Sequence, residues 1–284
     1  MTVAEAIQSA AQRLAADPHL SDTARRDAEL LLLHVANISK AALIADPARE
    51  LAAEQVSAYE TAITRRLRHE PIQYITGTQE FFGLTFTVTP AVLIPRPETE
   101  HLIETVLERL PHDRPTHIVD VGTGSGAIAI ALAVHLPQAN ITAVDLSPAA
   151  LDVARSNTRT HGLDARIRFV LSDLLNALSS EPTYGHLDAI VSNPPYVPSF
   201  DAPQLHPQVR EHEPTQALFA GPDGLDIYRR LIPQAHAALK SGGLLAMEIG
   251  HGQRDALTIL LSPWKNVCFL DDLQGIPRVV LAIR

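Results

Sequence analysis

Residues 116–126, Thr116-His-Ile-Val-Asp-Val-Gly-Thr-Gly-Ser-Gly126, carry an apolar strand into three glycines at alternate positions. The helix-forming stretch Ala127 to His135 follows at once. Glycine enters left-handed backbone conformations and, lacking Cβ, lets the chain pass close to a ligand. The helix beyond offers unpaired N–H groups at its first turn. A buried strand, a tight turn and a helix are the opening of a βαβ unit, so the chain is expected to be α/β. The spacing Gly122-x-Gly124-x-Gly126 differs from the GxGxxG pattern that cradles a pyrophosphate. It suits a nucleoside without one, or else a purely structural turn.

The rest of the chain beyond residue 115 keeps this rhythm. Candidate strands are 116–121, 141–145, 166–171, 187–192, 243–249, 266–271 and 278–283; candidate helices are 97–110, 125–136, 148–161, 224–240 and 251–261. Alternation of this kind predicts a parallel, doubly wound sheet. Only Asp272 to Pro277 separate the last two strands. That is too short for a crossover helix, so these two should pair antiparallel.

Before residue 70 the patterning is helical. Met1 to Ala16 reads as an amphipathic helix, with no basic segment leading an apolar block as a signal peptide would have. Asp17-Pro18 and Asp46-Pro47 mark breaks. Glu54 to His69 reads as a helix whose Arg65, Arg66 and Arg68 suit the C-terminal dipole. A solvated helix end is the favoured reading of those arginines, ahead of a binding patch. Gln73 to Val88, rich in aromatic and β-branched residues and punctuated by Gly77 and Gly83, reads as a β-hairpin. The expected division is therefore a helical domain over 1–70, a hairpin linker over 71–95 and an α/β domain over 96–284.

Composition limits the partners. Among 284 residues, 46% are hydrophobic and 19% charged, ordinary for a globular chain. The net charge of −9 lowers the expectation of a duplex-DNA partner, because phosphate binding usually needs a basic field. A single cysteine, Cys268, cannot form an internal disulfide. A reducing, cytoplasmic location is expected. No apolar run approaches the ~18 residues of a membrane span. Of the 13 histidines, His112, His117, His206, His212 and His251 show no ligand spacing such as HExxH, so no metal is expected.

Three further signals lie at candidate strand ends. Asp145 closes the strand Ile141-Thr-Ala-Val-Asp145, about 20 residues past the glycines, where an acid can accept hydrogen bonds from ribose hydroxyls. Ser147 and Pro148 behind it suit a helix start. Ser172-Asp173-Leu174 ends the next strand; Asp173 reads evenly as an acceptor for the adenine amine or as an exposed loop acid. Ile190-Val-Ser-Asn193-Pro194-Pro195-Tyr196 is the most specific. Two successive prolines fix two φ angles and remove two N–H donors, leaving nearby carbonyls as rigid acceptors. With the Asn193 side-chain oxygen and the flat face of Tyr196, they suit a planar NH2 group. Arg96-Pro-Glu-Thr-Glu100 stands to close one side of the site. Arg96 reads equally as an ion-pair partner, and Glu98 as a first-turn charge.

In this order the motifs resemble class I S-adenosylmethionine-dependent methyltransferases, and the Asn-Pro-Pro-Tyr loop resembles the subset acting on planar nitrogens. Further stretches resemble the release-factor glutamine methyltransferases (the PrmC/HemK family). They include Asp27-Ala-Glu-Leu-Leu-Leu32, Glu70-Pro-Ile-Gln-Tyr-Ile-Thr-Gly77, Leu93-Ile-Pro-Arg-Pro-Glu-Thr-Glu100, Glu213-Pro-Thr-Gln-Ala-Leu218, Gly221-Pro-Asp-Gly-Leu225 and Met247-Glu-Ile-Gly250. The likeness spans nearly the whole chain. It implies a Rossmann-like, seven-stranded, mainly parallel sheet with a small N-terminal helical domain joined by a β-hairpin. It implies S-adenosyl-L-methionine as cofactor, held by Gly122, Thr123, Gly124, Ser125, Gly126, Asp145, Asp173, Leu174 and Asn193. Asn193, Pro194 and Tyr196 would be catalytic and, with Pro195, would grip the substrate. That substrate would be the glutamine of the Gly-Gly-Gln motif in peptide chain release factors, methylated at N5 by a cytoplasmic enzyme expected to be a monomer. A glutamine methyltransferase of a large-subunit ribosomal protein and an adenine-N6 nucleic-acid methyltransferase are the alternatives; the acidic charge and lack of a basic insertion disfavour the latter.

Overall fold

A computed structural model gives the fold and describes residues 1–272 and 274–284. In chain order the helices and strands are α1 (Val3–Ala15), α2 (Ala24–Ala36), α3 (Lys40–Ala45), α4 (Ala53–Arg66), α5 (Ile72–Thr76), β1 (Thr78–Phe81), β2 (Leu84–Thr87), α6 (Glu98–Arg109) and β3 (Thr116–Val121). There follow α7 (Ala127–His135), β4 (Ala139–Asp145), α8 (Pro148–Thr160), β5 (Ile167–Leu171), β6 (Leu187–Ser192), α9 (Pro207–His212), α10 (Asp226–Ala238), β7 (Leu239–Glu248), α11 (Arg254–Leu260), β8 (Lys265–Asp271) and β9 (Pro277–Ile283). The chain forms two compact units, residues 1–78 with 204–212 and residues 79–203 with 213–284. No helix among the described residues is long and apolar enough to cross a membrane.

The first unit is helical. Thr2 opens α1 by accepting from Glu5 N, while the Glu5 carboxylate accepts from Thr2 N, a reciprocal cap. Val3, Ala6, Ile7, Ala10 and Leu14 recur every three or four residues and so share one buried face. They pack with Ala28, Leu31 and Leu32 of α2 and Tyr59 and Ile63 of α4. Of the three arginines read as a solvated helix end, Arg68 is exposed as expected, but Arg66 is not. Arg66 is only 5% exposed; its Nε donates to Asp27 Oδ2 at 2.8 Å, and its Nη1 donates to the Glu70 carbonyl and to Gln208 Oε1. Arg65 pairs with Glu70. Through Gln208, and through His212 on the Arg68 carbonyl, the segment 204–212 belongs to this unit, whereas the sequence division set it within 96–284.

The hairpin is shorter than the sequence suggested. Residues 72–76 form α5, closing at Gly77 with φ 77°, and only 78–87 pair as β1 and β2. Burial of Ile75 in the helical core overrides the strand preference of Tyr-Ile-Thr. Phe81 and Phe86 of the hairpin pack into the core of the second unit.

The second unit is built on a seven-stranded sheet in the order β5-β4-β3-β6-β7-β9-β8. β3 to β7 run parallel, and β9 pairs antiparallel with both β7 and β8, as the short connection requires. Alternate residues serve opposite faces: Ile118, Leu244, Ala246, Val279 and Leu281 enter one core, and Val119, Leu245, Met247, Val280 and Ala282 the other. α6 and α7 cover the first face, α10 and α11 the second. α7 is buried from Ala127 to Ala133, which is why its sequence is apolar all round. The chain reverses its progress across the sheet between β3 and β6, the place where open α/β sheets bind ligands.

The Asp27–Arg66 pair yields a test. Asp27→Ala strands a buried guanidinium and is expected to cost about 3–5 kcal/mol in urea unfolding followed by far-UV circular dichroism. Asp27→Leu combined with Arg66→Met should recover most of that loss. A cost below about 1 kcal/mol for Asp27→Ala would remove the pair's structural role.

Candidate active site

The carboxyl ends of β3, β4 and β6 border a cleft with about 840 Å³ of open space, including its mouth. Its wall includes Gly122, Gly124, Asp145, Asp173, Leu174, Asn193, Pro194 and Pro195, which the sequence singled out, together with Leu93, Leu146, Gln216 and Ile227, which it did not. Thr123, Ser125, Gly126 and Tyr196 stand behind that wall.

The glycine turn is held by acids. Gly122 and Thr123 donate their N–H groups to the Val144 carbonyl, and Gly124 N donates to Asp145 Oδ2 at 2.9 Å. Asp145 Oδ1 accepts from Ser147 N, and Ser147 caps α8 as expected. Burial holds the Asp145 carboxyl above its ordinary range, with these N–H bonds acting in the opposite sense. Asp120, fully buried at the middle of the sheet, accepts from Thr123 Oγ1 at 2.6 Å and from Ala129 N at 3.2 Å through a single oxygen. Its other oxygen has no partner among the described residues. Burial pushes Asp120 up to about 7; the nearby Asp145 adds to this. Asn157 ties the same turn to the hairpin, donating to both the Ser125 and Thr87 carbonyls. Thr123, Ser125 and Gly126 thus brace the cradle, while Gly122 and Gly124 form its surface.

Asp173 faces the cleft with its carboxylate paired to Arg230, and Leu174 beside it takes a positive φ of 53°. Asp145 retains unused lone pairs on both oxygens, since each accepts one N–H donor.

The Asn-Pro-Pro-Tyr loop leaves β6 where Ser192 Oγ donates to the Val121 carbonyl, locking the two central strand ends together. Gln253 Nε2 donates to the Tyr196 and Gly224 carbonyls, and Gln253 Oε1 accepts from Gly250 N. At Gly224 a Cβ would lie 2.2 Å from the Tyr196 carbonyl oxygen, so only glycine fits. Asn193 Nδ2 donates to Thr99 Oγ1 at 2.9 Å; Thr99 donates to Glu248 Oε2 at 2.6 Å; Tyr196 donates its phenol to Glu248 Oε1 at 3.2 Å. Glu248 is 1% exposed and its carboxyl is pushed up to about 7 by that burial. Arg96 pairs with the buried Glu213, the ion-pair alternative of the sequence reading. Thr99 lies in the Arg96–Glu100 segment expected to close one side of the site but was given no role of its own; Glu248, Asp120 and Gln253 were not singled out in the sequence. The available signal for two of them was an acid set in an apolar strand, Ile-Val-Asp120-Val and Leu-Ala-Met-Glu248-Ile.

The cradle fits a nucleoside cofactor such as S-adenosyl-L-methionine. Gly122 and Gly124 adopt φ of 73° and 54°, line the cleft, and have nothing within 4 Å of where a Cβ would stand. A side chain there would occupy the cleft itself. Gly124→Ala should therefore weaken S-adenosyl-L-methionine binding at least tenfold by calorimetry, beyond the ~1 kcal/mol stability cost of a left-handed alanine. Gly162→Ala, at another positive φ remote from the cleft wall, should cost stability alone. Equal affinity in the two variants would sink the assignment.

Two family models match the chain: one described as PrmC N-terminal domain over residues 5–77, and one described as methyltransferase small domain over residues 99–205. The release factor glutamine methyltransferase of Koribacter versatilis is 47% identical over 282 residues, covering 99% of this chain and 98% of that one. That of Moorella thermoacetica is 45% identical over 287 residues, covering 100% and 99%. Among solved structures, the Thermus thermophilus 16S rRNA N2 G1207 methyltransferase RsmC, in complex with AdoMet and guanosine, aligns with a TM-score of 0.55 at 21% identity, covering 73% of this chain and 49% of that one. The human Mettl16 catalytic domain aligns at 0.56 and 16%, covering 81% of each. These two share the fold. A cleft lined by glycine backbone, in a chain matched end to end by these relatives, places the protein in the release factor glutamine methyltransferase family, enzymes that use S-adenosyl-L-methionine.

Proposed function

We propose that this enzyme methylates the N5 side-chain nitrogen of a glutamine, that of the Gly-Gly-Gln motif in a peptide chain release factor. The observation that carries this reading is the pairing of Asn193 and Pro194 on the wall of the same cleft as the glycine cradle. The names of the relatives support the choice of release factor. The single cysteine, exposed and unpaired, suits a cytoplasmic site of action. The helical unit is the natural place for further contact with a protein substrate.

An amide nitrogen is a poor nucleophile because its lone pair is delocalised into the carbonyl. Bound in the cleft, S-adenosyl-L-methionine supplies a methyl group on a sulfonium, an excellent leaving group. The protein's task is alignment, a contribution that reaches about 7–11 kcal/mol in favourable cases. In this reading Gly122, Gly124 and Asp145 hold the cofactor, with Asp173 and Leu174 bordering its base. Asn193 Oδ1 and the Pro194 carbonyl accept the two amide hydrogens of the glutamine. Pro194 and Pro195 lack N–H groups, so the loop presents no competing donors there. Both acceptors draw on the N–H bonds and stabilise the positive charge that develops on nitrogen. As the new N–CH3 bond forms and the S–CH3 bond breaks, the nitrogen becomes strongly acidic and gives its proton to water, so no strong base is needed. Pro195 forms part of the wall, and Tyr196 anchors the loop from behind.

Labelled methyl transfer tests this. Label is expected on a release factor and absent from its Gly-Gly-Gln→Gly-Gly-Ala variant. Label instead on a large-subunit ribosomal protein or on adenine-containing DNA would overturn the substrate assignment. Asn193→Ala should lower kcat by about 100-fold or more while cofactor affinity changes less than about threefold. Wild-type turnover in that variant would refute the role of Asn193.

A further inference from the structure

The Asn193 amide has two unlike ends, and the proposed chemistry depends on which one faces the substrate. Oδ1 toward a substrate NH2 sets acceptor against donor; Nδ2 toward it sets donor against donor. A half-turn of the side-chain amide exchanges them, so the neighbours must decide. Thr99 has one hydroxyl proton. An ionised carboxylate only accepts, so that proton goes to Glu248, at 2.6 Å. The Thr99 lone pairs then face Asn193, at 2.9 Å, and they favour a donor, the NH2 end.

We propose that Glu248 is a positioning residue: through Thr99 it fixes the Asn193 amide with Oδ1 toward the substrate nitrogen, and through Tyr196 it anchors the far end of the same loop. This rests on the reading of Asn193 as the acceptor for the substrate amide. Three elements meet at one carboxylate: α6 brings Thr99, the loop after β6 brings Asn193 and Tyr196, and β7 brings Glu248. The arrangement is polar and directional, and its Thr99–Glu248 link is buried, with Thr99 4% and Glu248 1% exposed. Tyr228 from α10 donates to the Glu248 backbone carbonyl and leaves the carboxylate to Thr99 and Tyr196.

Protonation reverses the polarity. A neutral Glu248 can donate to Thr99, whose own proton is then free to turn toward Asn193 and favour Oδ1 there. The charged and titratable groups acting on Glu248 are Glu98 on α6, which raises its pKa, Arg278 on β9, which lowers it, and Tyr196. Burial outweighs them and sets the value at about 7. The positioning form is the deprotonated one, so activity is full above that value and falls as pH drops through it.

The test follows methyl transfer to an intact release factor from pH 6 to 9, with cofactor affinity measured in parallel. Wild-type kcat should fall about tenfold between pH 8 and pH 6. Thr99→Val should lower kcat by roughly 100-fold with KM and cofactor affinity within about threefold, and Thr99→Ser should restore most of the rate. Glu248→Gln should either lose the acidic limb or lose rate at every pH, with cofactor binding kept. Wild-type kcat in Thr99→Val overturns the proposal, as does failure of serine to rescue. So does a limb near pH 7 that persists in Glu248→Gln, which would belong to Asp120. If Thr99→Val does not fold, the serine and Glu248→Gln arms still decide. A wild-type enzyme that transfers nothing to the release factor defeats the substrate reading and this proposal together; an active wild type whose variants do not behave as predicted defeats this one alone.

Discussion

Three carboxylates at or near the carboxyl ends of β3, β4 and β7, two of them buried and the third half-buried at the cleft wall, hold this candidate site in shape. A buried acid must find donors, and the donors available at a sheet edge are the loops that leave it. Asp120 on β3 gathers Thr123 and the first turn of α7; Asp145 on β4 gathers Gly124 and Ser147; Glu248 on β7 gathers Thr99 and Tyr196. The loops follow from these bonds. The glycine turn lies where Asp120 and Asp145 draw it, and the Asn-Pro-Pro-Tyr loop lies where Glu248 and Gln253 draw it. Side chains on strands are held by the packed sheet, so the loops inherit its rigidity.

This explains why the cleft needs so few groups of its own. A methyl donor with a good leaving group leaves the protein the task of placing two partners in line, and placement demands rigid, oriented acceptors more than a strong base. Pro194 and Pro195 make part of that rigidity by covalent geometry, because their φ angles are fixed. The side chain of Asn193 has no such constraint. Its orientation has to come from hydrogen bonds, and these reach it through Thr99 from a residue far away in sequence.

That difference also separates what could be read in the sequence from what could not. The glycines, the acid at Asp145, the serine cap at Ser147 and the double proline act over a few residues, so their spacing carries the physics. The central strands β3, β4, β6 and β7 were legible for the same reason, since a strand buried between two helical layers is apolar along most of its length. Residues 72–76 were misread because Tyr, Ile and Thr favour a strand locally, while burial of Ile75 against the helical core decided otherwise. Arg66 looked like a surface charge because its partner, Asp27, stands in another helix. Segment 204–212 lies between the Asn-Pro-Pro-Tyr loop and Glu213 in sequence yet packs with the helical unit through Gln208 and His212, and no local pattern announces that. The bond from Thr99 to Glu248 became visible only when the fold brought residues 149 positions apart into contact.

Such a site is held at the expense of stability, and the sign of the linkage shows where. Asp120 and Glu248 each have a folded-state pKa raised by burial to about 7, above the ordinary values of 3.8 and 4.5. Between those limits the folded chain holds protons that the unfolded chain has released. Stability therefore falls as pH rises from the unfolded values toward about 7, and above that the loss is complete. This is opposite to a carboxylate held low by a partner, such as Glu70 beside Arg65, whose contribution is present above its unfolded value and lost as pH falls through the folded one. The pH range in which Glu248 is ionised, and the Asn193 amide held with its acceptor outward, is thus the range in which the two buried acids contribute least to holding the fold. The packed faces of the sheet, with Val119, Leu245, Met247 and Val280 on one side and Ile118, Ala246 and Leu281 on the other, must supply the difference.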